Sequence, residues 1–524
     1  MTTSLQPFLS SPPEVKLVNS FQLPFDNAIA TARTCYSSKG IIKAEDVTHW
    51  PRRDELAASL HQAGHHTVFQ HAHFQFSLAN VSRQFVWSFL HSHPFYNSEQ
   101  VSQRYVEVKP GTYAIPPLDQ KARAIYERTV EHQFEAYQQL TQSLMVPVSA
   151  AYFERFKGRA KNPEEKRTKD GLKKRCMEVA RYVLPIATFT HLYHTVSGIT
   201  LLRYYRMCRE WDASTEQTLV VQAMVDELLK VAPEYQILLQ EPLSIEETIE
   251  HRFYQTIGHS IDSKTQGEFI HAFDVDLDRR VSVLVDYKVN NEKLLADSVR
   301  EVLGTPRTEL SDDAAIDLVL DPAKNPLLGE NLNLTTLSKL ARTLVHPSYT
   351  FRKKLSHTAD SQDQRHRMTP ASRPCLFAYL THQPDYITPE IFRQDDTSRR
   401  IYDDIMQASW EGIAQLKKRG VPNEYVAYLL PNAVSIRFTE SADLMGLWHK
   451  CAMRLCYNAQ EEIWRAAVDE AEQVRDINPR IGKYLLPPCG LRMHSGQKPI
   501  CPEGDRYCGV PVWKKDLKEY ARVI

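Results

Sequence analysis

Ser102, Gln103, Arg104 and Tyr105 place a hydroxyl, an amide and a guanidinium within three positions, a set suited to gripping a phosphate. The hydroxyl donates one hydrogen bond, the guanidinium a bidentate pair, and nearby backbone N–H groups can add more. A second basic set, Arg365-His366-Arg367, stands far downstream behind Gln362. Upstream of the first loop lies a histidine cluster (His65, His66, His71, His73), and His91 and His93 follow in an aromatic segment. These last two read as structural histidines; as a metal pair they lack a third ligand at useful spacing. Cys489, His494, Cys501 and Cys508 lie in a tail rich in Gly and Pro. Three thiolates and an imidazole match a structural zinc set. The tight Cys-x-x-Cys pair of most zinc sites is missing, so reduced loop cysteines remain the other reading.

The elements that position these groups repeat. Phe74, Phe76 and Leu78 alternate with His73, Gln75 and Ser77, the period of a half-buried strand. Residues 346–351 echo residues 71–76 at a distance of 275 (346 − 71). Residues 178–185 resemble residues 424–431, 246 apart (431 − 185), and each is followed by a glutamine opening an amphipathic helix, Gln217 and Gln460. Three matches in one order indicate a diverged tandem repeat.

In the first half, residues 15–36 predict a strand then a helix, and 53–63, 120–146 and 215–230 predict helices, the last closed by Pro233. The Lys-, Arg- and Glu-rich run over 156–174 predicts a solvated loop. In the second half, 281–287 predicts a strand and 291–303 a helix stopped by Gly304 and Pro306. Residues 334–345 predict a helix leading into His346, and 400–419 a helix ended by Gly420. Residues 458–476 predict a helix with Ala459, Ile463, Ala466 and Ala467 on its apolar face. The fold class is α+β: two tandem homologous domains, 1–255 and 256–488, forming a pseudo-dimer, with a Cys/His tail over 489–524.

Sixty-four basic and sixty-four acidic residues cancel, so no bulk attraction toward nucleic acid or membrane is implied. No apolar run approaches the ~20 residues of a membrane span, and the first residues lack a secretory pattern. Nine cysteines in 524 residues read as reduced thiols in a cytoplasmic setting.

In this order the motifs resemble the flavin-dependent thymidylate synthases: GHHTVFQH (64–71), SQRY and ARYVLP in the first half, RHR, AYLLP and AQEEI in the second. The resemblance implies an α+β fold, FAD as cofactor, and reductive methylation of dUMP to dTMP with methylenetetrahydrofolate and NADPH. It implies a homotetramer whose active sites are shared between subunits. A tandem chain would supply two such subunits and pair as a homodimer into a pseudo-tetramer. Flavin contacts would come from His65, Thr67, Arg365, His366 and Arg367, and nucleotide contacts from Gln100, Ser102, Gln103, Arg104 and Gln362. Cys35 falls at a flavin-contact position, though a buried cysteine is usually just a small hydrophobe. His65 and Thr67 read equally as strand-entry residues. No residue is given a catalytic role.

The departures are specific. Gln70 replaces a glutamate, and His91-Ser92-His93 or Ser92-His93-Pro94 replaces the first-half Arg-His-Arg. The second-half Ser-x-Arg-Tyr becomes Ala371-Ser372-Arg373-Pro374. Asn-x-Arg falls at Ser197-Gly198-Ile199 and Asp443-Leu444-Met445, losing its arginine twice. The surviving parts are complementary, nucleotide loop in one half and flavin triplet in the other, so a composite site is the economical reading. The competing class is a non-catalytic or repurposed flavin- or nucleotide-binding protein on the same fold, which the missing arginines favour.

Overall fold

Each half builds one antiparallel sheet on the same plan. The computed structural model describes residues 7–91, 96–209, 212–256, 263–522 and 524; Ser92, His93 and Pro94 lie outside them. The first sheet contains β1 (Glu14–Ser20), β2 (His73–Ser82), β3 (Asn97–Gln100) and β4 (Phe189–Ser197), ordered β1-β2-β4-β3. The second contains β5 (Ser282–Tyr287), β6 (Ser348–Ser356), β7 (Ala371–Ser372) and β8 (Ser435–Asp443), ordered β5-β6-β8-β7. Phe74, Phe76 and Leu78 of β2 are buried while His73 is exposed, as the alternation requires. The apolar face packs on the Ser214–Val231 helix, whose Val220, Val221 and Met224 share that core. In the second half the Glu461–Ile477 helix packs on β5 and β6 in the same way.

A bulge explains the one-residue ambiguity in the repeat. His73 pairs with Ser197 and Ser348 with Asp443, a distance of 275 (348 − 73). The register of β2 slips between Leu78 and Val81, where Asn80 has φ 54°, whereas β6 runs without a slip. Ser82 and Ser356, which end the two strands, are therefore 274 apart (356 − 82). By this count His91-Ser92-His93 is the segment that corresponds to Arg365-His366-Arg367.

The halves meet about a pseudo-two-fold axis at Pro185 and Pro431, which form an antiparallel bridge. Ile186 N–H donates to Leu430 O at 2.9 Å, and Asn432 N–H returns to Leu184 O at 2.8 Å. The Gln120–Ser143 and Asp396–Lys418 helices pack against each other across the same axis, joining both halves in one apolar core. The tyrosines of the repeated segments cross over: Tyr182 donates to Glu462 and Tyr428 to Glu216, both at 2.6 Å. Each glutamate also takes the backbone N–H and hydroxyl of its own strand-end serine, Ser82 for Glu216 and Ser356 for Glu462. Glu216 and Glu462 are thus the true counterparts, rather than Gln217 and Gln460. The two donors of each buried strand end are met by the two oxygens of one carboxyl group. Gln460 stands at the N-cap position of its helix without a side-chain capping hydrogen bond and Ala459 precedes it, while Gln217 lies one turn inside.

Two other elements differ from expectation. The basic run is not a plain loop: after a short 3-10 turn, the Lys166–Ala180 helix begins inside it because Thr168, Leu172 and Cys176 recur on one buried face. Residues 334–345 form two 3-10 turns, Leu334–Thr336 and Ala341–Val345, in place of one helix. Among the described residues no helix is long and apolar enough to cross a membrane.

Candidate functional site: a cleft between the halves

The loop after β3 and the helix after β6 are carried to the same place by the pseudo-two-fold packing. Arg104 Nε donates to Glu178 Oε2 at 2.6 Å, and Arg104 Nη2 to the carbonyl of Asn458, in the other half, at 2.7 Å. Burial alone would raise the Glu178 carboxyl; Arg104, Arg175 and Arg181 outweigh it and hold the group below its usual range. Arg181 Nε donates to the Glu178 carbonyl at 3.2 Å, and its Nη2 to Gln460 Oε1 at 3.0 Å. Gln460 Oε1 also accepts from Gln362 Nε2. Arg454 Nη2 donates to the Gln362 carbonyl at 2.9 Å, and Arg454 Nε to His366 Nε2 at 2.7 Å. One unbroken hydrogen-bond path therefore runs from Arg104 of the first half to Gln362 and His366 of the second.

The path is electropositive. Arg104 and Arg181 share the carboxylate of Glu178 with Arg175 and Arg522, and Asp363 is the carboxylate that acts on Arg454. Burial pushes Arg454 down to about 10, with Arg104 and Arg365 adding repulsion. Burial and the adjacent Arg454 push His366 well below its ordinary value, so it is a neutral imidazole accepting from Arg454. Arg104, Arg454, Asn458 and His449 line a cleft of about 380 Å³. An anion entering it would meet charge-assisted donors already desolvated on their inner side. Arg181 lies beneath this lining, 5% exposed.

A second cleft of about 250 Å³ lies on the outward face of the first sheet, lined by Gln75, Tyr96, Gln100, Tyr193, Arg365 and Arg367 among others. Arg365 Nη2 pairs with Glu99 Oε1 at 2.6 Å. Arg367 donates to the Tyr96 carbonyl and lies over the Tyr96 ring, 5.3 Å from its centroid. The basic triplet therefore divides: its arginines face this cleft, and His366 turns inward to Arg454.

The other expected site residues fall as follows. Gln100 reaches the Arg365 cleft and accepts from Arg83 at 3.0 Å. Ser102 and Gln103 line a third cleft of about 300 Å³, where the Ser102 hydroxyl accepts from Arg104 N–H at 3.2 Å. Gln103 is buried and its oxygen accepts from Asn432 at 3.2 Å. His65 and Thr67 are exposed at a 3-10 turn and line none of these three clefts. Cys35 is exposed at a helix end, not a buried hydrophobe. Ile199 and Met445, where the lost arginines would stand, are buried in apolar cores, and Ser197 and Asp443 cap the helices that follow.

The second-half loop corresponds differently from its sequence match. Ala371 pairs opposite Glu440 as Ser98 does opposite His194, and Tyr386 bridges Val434 as Tyr113 bridges Thr188. Both pairs are 273 apart (371 − 98; 386 − 113), so Arg373 takes the position of Gln100 and Phe377 that of Arg104. Arg373 is held by Asp360, Nη2 to Oδ1 at 2.8 Å, rather than offered to a ligand.

The tail does not assemble the expected zinc set. Cys489, Cys501 and Cys508 converge, with Cys456, on a void of about 20 Å³, but His494 is exposed and outside it. Burial, with the neighbouring cysteines adding to it, pushes Cys489 up to about 12 and Cys456 to about 11. Among the described residues no group of three or more His, Cys, Asp or Glu is arranged to hold a metal ion.

Arg454, Arg181, Glu178 and Asn458 were not singled out from sequence. Arg181 and Gln460 do lie inside the repeated ARYVLP and AQEEI segments, and Arg454 stands six residues before Gln460 (460 − 454). That spacing was the available signal.

A flavin-dependent thymidylate synthase of Clostridium tetani is 28% identical over 229 residues, 42% of this chain and 84% of the relative. One from Geobacter sulfurreducens is 30% identical over 170 residues, 32% of this chain and 70% of the relative. The crystal structure of a UMP/dUMP methylase PolB from Streptomyces cacaoi bound with 5-Br dUMP is 19% identical, spanning 44% of this chain and 95% of that chain, with a TM-score of 0.31. The profile of the family described as Thymidylate synthase complementing protein matches residues 16–234 and 283–480, one segment in each half, and the chain belongs to that family.

Proposed function

We propose that the chain is a flavin-dependent thymidylate synthase that methylates dUMP to dTMP with methylenetetrahydrofolate and NADPH, at a site shared between its halves. The observation that carries the reading is the path Arg104–Glu178–Arg181–Gln460–Gln362–Arg454–His366, which links the Arg104 loop of the first half to Gln362 and His366 of the second. Arg104 and Arg454 hold the nucleotide phosphate, and Gln362 and Gln460 fix Arg454 and Arg181 behind it. Neutral His366 locks the Arg454 guanidinium through its Nε.

Arg365 and Arg367 fit a flavin diphosphate: both line a polar cleft and both are charge-assisted donors beside the Tyr96 and Tyr193 rings. When bound, the flavin supplies hydride chemistry. The cleft is open on the side where Tyr193 is 55% exposed. A second copy closes it in this reading, giving a homodimer that mimics a tetramer. His65 and Thr67, exposed here, meet flavin only across that contact. Cysteines all free of disulfides fit a cytoplasmic setting.

The buried Ile199 and Met445 favour a second reading, a repurposed flavin- and nucleotide-binding protein. The test is dTMP formation by purified protein given FAD, NADPH, dUMP and methylenetetrahydrofolate, together with rescue of a thymidine-requiring strain. Protein that holds flavin and dUMP yet forms no dTMP would leave the repurposed reading in place.

A further inference from the structure

We propose that each chain holds a single nucleotide site, and that the pseudo-symmetric counterpart has been converted into a structural contact. The inference rests on the functional reading above. The paired anchors locate the counterpart residue by residue. From Ser82 and Ser356, the mate of Gln362 is Ser88 and that of Arg365 is His91 (both 274 apart). From Glu216 and Glu462, 246 apart, the mate of Arg454 is Cys208 and that of Gln460 is Ser214. From Tyr182 and Tyr428, the mate of Arg181 is Ala427. The strand register makes Phe377 the mate of Arg104. All three guanidiniums that surround the first site are thus absent from these positions in the second.

The vacated region is put to other uses. Glu424, mate of Glu178, takes the Ser214 hydroxyl at 3.1 Å and the Thr215 N–H at 2.6 Å, so the carboxylate that steadies Arg104 in one half ties down a helix start in the other. Asp212, mate of Asn458, accepts from Leu376 N–H through its side chain and from Gln84 Nε2 through its carbonyl, at 2.6 Å. The Ser263–Asp276 helix, which has no counterpart ahead of β1 among the described residues, lies across this side. Its Gln266 donates to the Ala378 carbonyl, and its Asp274 pairs with Arg437 at 2.8 Å and Lys354 at 2.7 Å. A nucleotide phosphate would find there no arginine from the set and a helix in the approach.

The experiment is equilibrium dialysis of the purified full chain, flavin-loaded, against labelled dUMP, with protein counted by amino-acid analysis. One dUMP per chain, filling in a single phase, is expected. Gln362→Ala should weaken dUMP binding at least tenfold, whereas Ser88→Ala at the mated position should leave both affinity and stoichiometry unchanged. Two dUMP per chain, or a tenfold loss in Ser88→Ala with correctly folded protein, would overturn the single-site proposal. No dUMP bound at all would overturn instead the functional reading beneath it.

Discussion

Arg104 is doubly engaged, and replacing it should therefore do two separable things. Its guanidinium donates to Glu178 at 2.6 Å and to the Asn458 carbonyl at 2.7 Å, with side-chain exposures of 13% for Arg104 and 11% for Glu178. Arg104→Ala leaves Glu178 charged and nearly buried. Breaking one partner out of a buried pair typically costs about 3–5 kcal/mol. Arg175 and Arg181 remain close to Glu178 and hold the loss toward the lower end, about 3 kcal/mol. The double variant Arg104→Met/Glu178→Gln removes both charges with similar volume and should recover most of that loss. Nucleotide affinity should stay low in both, because the donor to the phosphate is gone in both. Loss of one charge-assisted pair of roughly 1.5–3 kcal/mol corresponds to about ten- to hundredfold in Kd. Urea unfolding measures the first effect and calorimetric titration with dUMP the second. Arg104→Ala as stable as the parent would refute the buried-pair reasoning. A double variant that binds dUMP with parental affinity would remove Arg104 from the site.

Arg365 is 44% exposed and its partner Glu99 76% exposed, so Arg365→Ala should change stability by under about 0.5 kcal/mol while lowering flavin retention ten- to hundredfold; unchanged flavin absorbance per chain would contradict it. Tyr182→Phe and Tyr428→Phe each delete a donor to a buried carboxylate in the opposite half and should each lower unfolding free energy by about 1.5–3 kcal/mol, read by denaturant titration. Burial raises Glu462 to about 7, against the hydrogen bonds from Ser356 and Tyr182, so the folded state keeps a proton that the unfolded state gives up at lower pH. Stability should therefore fall as pH rises from about 4.5 to 7, on the order of 3 kcal/mol, and this slope should flatten in Glu462→Gln. A chelator should leave the melting temperature unchanged; one zinc per chain by elemental analysis would reverse the conclusion about the tail.

Much of the architecture was written in local pattern. Alternation at Phe74, Phe76 and Leu78 and the helical spacing over 120–146 set which faces are apolar, and burial follows from that. The repeated segments around Tyr182 and Tyr428 disclosed the duplication because each makes the same reciprocal contact, so both copies retained it. Glu216 and Glu462 were missed because the requirement they meet, two donors at a buried strand end, exists only after the strand is folded. The bulge at Asn80 likewise shifts the count between halves, and only the register reveals that Phe377 rather than Arg373 stands where Arg104 does.

The sequence by itself determined the fold class, the tandem plan and the two basic motifs, since these depend on residue type and period along the chain. Tertiary structure alone decided which groups share a cleft. Arg454 and Arg104 are 350 residues apart (454 − 104), and their approach depends on how two sheets and two long helices pack about Pro185 and Pro431. It also divided the Arg365-His366-Arg367 motif, turning the imidazole inward and the guanidiniums outward, and it kept His494 out of the cysteine void. Spacing limits what neighbouring residues can reach, but convergence of distant ones is fixed by packing, which no local pattern encodes.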